Sequence, residues 1–127
     1  MDIVWIEKEA LLLLHEISLA DHGGSPGLRD EGLLISALAR PQNLAAYGEP
    51  DIAALAAAYA FGLAKNHAFV DGNKRAAFLS LGLFLDLNGF ALEVDQPEAI
   101  ATVLALAAGE IDEDVLADWV RNHLVAL

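Results

Sequence analysis

Cysteine is absent from the 127 residues of the chain. That excludes disulfides and thiolate-held zinc, and it fits a reducing, cytoplasmic setting. Basic residues are scarce: Lys and Arg number 7 against 19 Asp and Glu, for a formal net charge of −12. A surface of that sign repels nucleic acid and anionic membrane, so neither is expected as a direct partner. It suits a basic protein partner instead. Long apolar runs are missing too. Ala76–Leu85 is closed by Asp86 and Asn88, well short of the ~20 residues that span a bilayer. The opening Met1-Asp2-Ile3-Val4-Trp5-Ile6-Glu7 lacks a basic stretch and a small-residue cleavage site, so it does not read as a signal peptide. Prolines number only 4 and β-branched residues are sparse, while alanine and leucine dominate. With 56% hydrophobic residues the chain can bury a core. The expectation is an all-α fold: residues 1–127 as a single compact domain of about six helices around a central buried helix.

The helices can be placed by period and punctuation. Leu11, Leu14 and Ile17 predict a first helix from Glu7 to about Ala20. The glycines and proline of residues 21–27 make a loop. Asp30 reads as the N-cap of a second helix that Arg40-Pro41 should end, with residues 41–49 as a connector. Pro50 and Asp51 open a third helix to about Lys65, apolar on every side and therefore expected at the centre. A loop over His67–Gly72 feeds the most apolar helix candidate, Asn73 to Leu87, closed by Asn88-Gly89. Phe90–Val94 reads as extended, Pro97–Ala108 as a fifth helix and Asp112–Leu124 as a sixth. Trp5, Trp119, Tyr47 and Tyr59 are expected in packing roles. His15 and His123 have no evident partner, and His22 reads as a helix cap.

The chemistry gathers between Asn66 and Arg75. Counting Lys65, this stretch holds Lys65, Lys74 and Arg75 out of the chain's 7 basic residues. His67 follows a helix end and is a candidate general base, since histidine exchanges protons near neutral pH. Asp71 could hold Mg²⁺, a hard cation that takes carboxylate and phosphate oxygens. Gly72 lets backbone approach a ligand. Asn73, Lys74 and Arg75 open a helix, where free N–H groups and two basic side chains can hold phosphate. Phe69 should anchor the loop in the core, and Lys65 and Arg29 are further candidates for nucleotide contact. Lys-Arg at a helix start runs against the dipole preference, as functional sites tend to. Base, metal-binding acid and anion cradle together suit phosphoryl or nucleotidyl transfer. These residues alone suggest a phosphate or anion site at this helix start and leave the reaction open. A zinc hydrolase lacks a third ligand, and RNA cleavage is opposed by the charge.

His67-Ala68-Phe69-Val70-Asp71-Gly72-Asn73-Lys74-Arg75 resembles the signature of the Fic/Doc family, whose pattern is His-x-Phe-x-x-Gly-Asn-Gly-Arg. Lys74 in place of the second motif glycine is similar to the Doc (death-on-curing) branch, the toxin half of Phd/Doc-type toxin–antitoxin modules. The His22–Leu28 loop and the helix ending Phe84-Leu85-Asp86-Leu87-Asn88-Gly89 also look like that branch. The resemblance implies a Fic/Doc fold with ATP and Mg²⁺ as cofactors. It implies that His67 deprotonates a target hydroxyl and that Asp71 supports catalysis or Mg²⁺. Asn73 would orient phosphate, Arg75 would bind it, and Lys74 would be the branch-specific lysine. Fic enzymes generally transfer AMP, whereas Doc transfers the γ-phosphate to a threonine of elongation factor Tu and halts translation. Lys74 in place of glycine would crowd the α-phosphate seat, a physical reason for a reversed nucleotide. Phe78 stands where many Fic motifs carry a second arginine, which also points away from AMP transfer. Many Fic proteins restrain themselves with Ser/Thr-x-x-x-Glu. Here Ser18, Ser25, Ser36, Ser80 and Thr102 are followed four places on by His22, Arg29, Arg40, Phe84 and Leu106. Restraint in trans by a Phd-like antitoxin is therefore implied. An AMP transferase and an inactive binding module are the alternative readings.

Overall fold

Four aspartates start four of the helices. In the computed structural model, which describes residues 2–127, Asp30 opens α2 (Glu31–Ala46), Asp51 opens α3 (Ile52–Asn66), Asp95 opens α5 (Gln96–Ala107) and Asp112 opens α6 (Glu113–His123). Each carboxylate accepts from the N–H three residues on, at Leu33, Ala54, Glu98 and Val115, satisfying a donor that the helix cannot. α1 (Lys8–His22) and α4 (Asn73–Leu87) begin without a side-chain cap. The expected all-α fold is present, with six helices among the described residues. No described helix is long and apolar enough to cross a membrane.

α3 is the centre, and it packs against α2, α4, α5 and α6. Its apolar side chains are buried from Leu55 through Ala60 to Ala64, except for the half-buried Phe61. The sequence ranks α4 as the most apolar helix, but α4 buries one face only, through Ala76, Ala77, Ser80, Leu81, Phe84 and Leu85. Gly62 lets α2 and α3 close up. A Cβ there would stand 3.1 Å from the Ala37 Cα, so no larger residue fits without moving a helix.

Three expectations need correction. α2 runs through Pro41 to Ala46 and does not end at Pro41. Proline removes one hydrogen bond and disfavours a helix interior by about 3 kcal/mol. Here Leu34, Ala37, Leu38 and Pro41 form one buried face, and the burial of that stripe outweighs the lost bond. In α1 the buried face is Leu11, His15 and Ser18, while Ile17 is 48% exposed. Two polar residues on the inner face disguised it. Finally, α6 stops at His123, and Leu124–Ala126 forms β2, antiparallel to β1 (Phe90–Leu92), with Phe90 opposite Ala126.

The aromatics divide. Tyr59 is fully buried and its hydroxyl accepts the Ile6 N–H at 3.0 Å. Trp5 stacks on Phe84 and Trp119 donates to Glu98. Tyr47, expected in the packing, is 92% exposed because α2 outlasts its buried stripe and carries it into solvent.

Candidate active site

His67 is where the chain leaves α3. Its φ of 51° and ψ of 49° put it in the left-handed region. It is the one non-glycine residue with positive φ among the described residues. Such a backbone costs about 1–2 kcal/mol and persists only where neighbours hold it. Arg29 does so: its Nε donates to the His67 carbonyl at 2.8 Å and its Nη2 to the Asn66 carbonyl at 3.3 Å. The Arg29 backbone N–H donates to the Ala68 carbonyl at 2.7 Å. Asn66 is tied in turn to the Leu33 carbonyl of α2. The His67 side chain is exposed, and no described residue hydrogen-bonds its imidazole.

Two residues on, Phe69 is buried to 2% exposure. The His15 ring stacks on it, with centroids 3.7 Å apart and planes 15° from parallel. Leu28 pairs with Phe69 as an isolated antiparallel bridge, and the Val70 N–H donates to the Gly27 carbonyl. The loop after α1 is thus zipped along the motif.

The Asp71 carboxylate faces back into that loop. Oδ1 accepts the Gly72 N–H at 2.8 Å and Oδ2 accepts the Ser25 N–H at 3.2 Å. Its carbonyl accepts a bond from His15 Nε2 at 2.7 Å. Gly72 then turns the chain with φ 77°. A Cβ on it would meet His15 Nε2 at 3.2 Å, so both conformation and space call for glycine.

At the start of α4 the cap pattern breaks. Where α2, α3, α5 and α6 have an aspartate, α4 has Gly72 and no side-chain cap. The Ala76 N–H bonds back to the Gly72 carbonyl, which leaves the N–H groups of Asn73, Lys74 and Arg75 without an intrahelical acceptor. The Lys74 side chain is exposed, and Arg75 lies 5.8 Å from the Phe78 ring. These two cations border a cleft of about 290 Å³ walled by Phe78, Ile100, Val103 and Leu104. Free N–H groups, a positive helix end and two cations are the elements from which an anion cradle can be built.

The Asn73 side chain has another job. Its Oδ1 accepts the Phe69 N–H and its Nδ2 donates to the Phe69 carbonyl. Of its polar groups, the backbone N–H is the one left without a partner in the helix. Lys65 likewise donates to the Ala107 carbonyl at 3.3 Å, at the end of α5. Among the described residues no three metal-binding side chains converge. A protein cage for a metal is therefore not built here. Both Asp71 oxygens already accept backbone N–H groups, from Gly72 and Ser25, so a cation there would have only their remaining lone pairs.

Residues 5–85, from before α1 into the last turn of α4, match the Fic/DOC family. The chain belongs to the Fic/Doc family. It is similar to "Protein kinase doc" of Escherichia phage P1, 37% identical over 118 residues that cover 92% of this chain and 93% of that protein. It is also similar to "Toxin Doc" of Mycolicibacterium smegmatis, 37% identical over 115 residues, 85% of each chain.

In this Fic/Doc chain the structure brings His67, Phe69, Asp71, Gly72, Asn73, Lys74 and Arg75 together on one loop and helix start. Sequence reasoning missed His15. Its only signal was a polar residue four places after Leu11, on what became the buried face of α1.

Proposed function

We propose that this Fic/Doc chain is a Doc-type toxin, an ATP-dependent protein kinase that moves the γ-phosphate to a Ser or Thr hydroxyl of a translation factor. Elongation factor Tu is the proposed target and translation arrest the consequence, in the cytoplasm. Residues 1–127 act as one catalytic domain. One observation carries the reading: an exposed His67 heads a short loop that runs into a helix start with no side-chain cap of its own, carrying Lys74 and Arg75. The printed names of the relatives, a protein kinase and a toxin, support it.

The residues divide the work. The N–H groups of Asn73, Lys74 and Arg75 receive phosphate oxygens, and the two basic side chains neutralise them. His67 accepts the proton of the target hydroxyl as its oxygen bonds to the γ-phosphorus. The bond from that phosphorus to the β–γ bridging oxygen breaks, ADP leaves, and His67 then releases its proton to solvent. Mg²⁺, when bound through Asp71, supplies further charge neutralisation on the phosphates. Restraint comes in trans from a Phd-like antitoxin, whose apolar or basic segment suits a chain of net charge −12.

The test is a lysate incubated with Mg²⁺, the purified chain and ATP labelled separately at the α- and γ-phosphates, beside a His67→Ala control. Label from the γ position on one protein, absent with the control, is the expected result. Label from the α position would mean AMP transfer and overturn the kinase reading. Label from neither would favour a binding module.

A further inference from the structure

His15 is buried to 5% exposure on α1, under the motif loop, and none of the roles above uses it. Its partner is a carbonyl, which only accepts, so Nε2 carries the hydrogen and donates to Asp71. Its ring face is covered by Phe69 at 3.7 Å. Buried between α1 and Phe69, the imidazole has no route to a substrate, so it is not a catalytic group. What it reaches is the peptide between the two residues that matter most for the geometry of the cradle. Asp71 presents the candidate metal-binding carboxylate, and Gly72 begins α4.

We infer that His15 is a positioning residue of the reaction: its hydrogen bond to the Asp71 carbonyl fixes the Asp71–Gly72 peptide. That peptide's N–H faces Asp71 Oδ1 at 2.8 Å. Rotation of the peptide would therefore release the carboxylate and re-aim the first N–H groups of α4 together. Glycine at 72 makes such rotation cheap, because both halves of φ space are open to it. A flexible residue at the hinge of a phosphate site needs an external lock, and on α1 the lock is an imidazole 3.2 Å from where a Cβ of residue 72 would stand.

This inference rests on the proposed kinase activity for its kinetic arm and is independent of it for its exchange arm. His15→Leu fills a similar volume with an apolar side chain and removes the donor. His15→Gln returns an N–H near the position of Nε2. In the γ-label assay the leucine variant should lose about 10²-fold in kcat, the scale set by misplacement of reacting groups by about 1 Å. The glutamine variant should recover most of that loss, with thermal midpoints close to wild type. Hydrogen exchange of the Gly72 amide should accelerate in the leucine variant and stay slow in the glutamine variant. Equal exchange and equal kcat in all three proteins would overturn the role. So would equal losses in both variants accompanied by equal melting, which means packing alone. Should the leucine variant not fold, a folded glutamine variant with fast Gly72 exchange and lost turnover overturns it as well. Absence of transfer by the wild type sinks the kinase reading and leaves the exchange comparison to decide the role of His15.

Discussion

Asn73 holds Phe69 by both ends of its side-chain amide, with Oδ1 accepting the Phe69 N–H and Nδ2 donating to the Phe69 carbonyl, each at 3.0 Å. The first residue of α4 is thereby locked to the middle of the loop that carries His67. Each neutral hydrogen bond of this kind contributes about 1 kcal/mol net. Asn73→Ala should therefore destabilise the protein by about 1–3 kcal/mol, since it leaves a half-buried amide group unpaired. Asn73→Asp keeps the acceptor and loses the donor, and it also places a carboxylate at the mouth of the anion cradle. It should lower phosphate transfer more than Asn73→Ala while melting at a higher temperature. Thermal melts and γ-label assays on the pair read this directly. Equal melting of the two variants would mean that the amide is not a loop lock, and a reversed order of activities would mean that the carboxylate does not reach the phosphates.

The two tyrosines give opposite predictions. Tyr59 is fully buried and receives the Ile6 N–H. Tyr59→Phe orphans that donor and should cost about 1–3 kcal/mol. Tyr47 is 92% exposed, and Tyr47→Ala should fall within about 0.5 kcal/mol of wild type. Urea melts of both variants check the contrast. Burial also raises the Tyr59 hydroxyl above its ordinary pKa, against the Ile6 N–H that lowers it. The neutral form is thus favoured when folded. Its contribution is complete below the unfolded value and is lost as pH rises through the folded one, so alkaline unfolding should be delayed in Tyr59→Phe relative to its own neutral-pH deficit.

Acid should act through Asp51. Arg121 donates to both of its oxygens, at 2.6 and 3.0 Å. Those bonds hold its carboxyl below the usual carboxylate range against partial desolvation, and the Ala54 N–H helps. A folded-state value below the unfolded one means stability that is full above the unfolded pKa of about 3.9. It is lost as pH falls through the folded value. Asp51→Asn keeps the N-cap acceptor and removes the charge. Because the Asp51 side chain is 49% exposed, the ion pair contributes at most about 1 kcal/mol. The variant should melt slightly below wild type at neutral pH and match it at pH values below the folded pKa. A constant gap across the titration would show that the charge is not the cause.

What the sequence made legible was what local chemistry controls. Asp30, Asp51 and Asp112 announced their helices because a capping carboxylate acts within three residues. The motif loop was legible because its polar residues are contiguous. Pro41 misled because the burial that keeps α2 going lies on α3, across the fold. β2 was missed because its pairing partner is more than thirty residues back, at Phe90–Leu92. His15 was missed for the same reason, since the carbonyl it serves is 56 residues away. The bonds from the Asn73 amide to Phe69 could not be read in advance, because spacing alone cannot say whether an amide faces the loop or a ligand.

Lys74 offers the sharpest test of which phosphate is transferred. It lies at the second position of α4, exposed, beside the three free N–H groups. Two roles are open to it: its bulk can narrow the space over the helix start, and its charge can neutralise phosphate. Lys74→Gly removes both. If the side chain chiefly supplies charge, the variant should bind ATP more weakly and still transfer the γ-phosphate, with kcat/KM down about 10–10³-fold. If it chiefly excludes a bulkier phosphate arrangement, the variant should begin to transfer label from the α position. The resemblance to the Doc branch favours the second outcome: Lys74→Gly gains α-label on the target and loses γ-label, with His67→Ala abolishing both. Gain of α-label without loss of γ-label would show that the two nucleotide orientations coexist. Loss of γ-label with no gain of α-label would return Lys74 to the role of a phosphate-neutralising charge. The Lys74→Arg variant is the control for both cases. It keeps the charge and enlarges the side chain, so it should retain γ-transfer on either account and show no α-label at all.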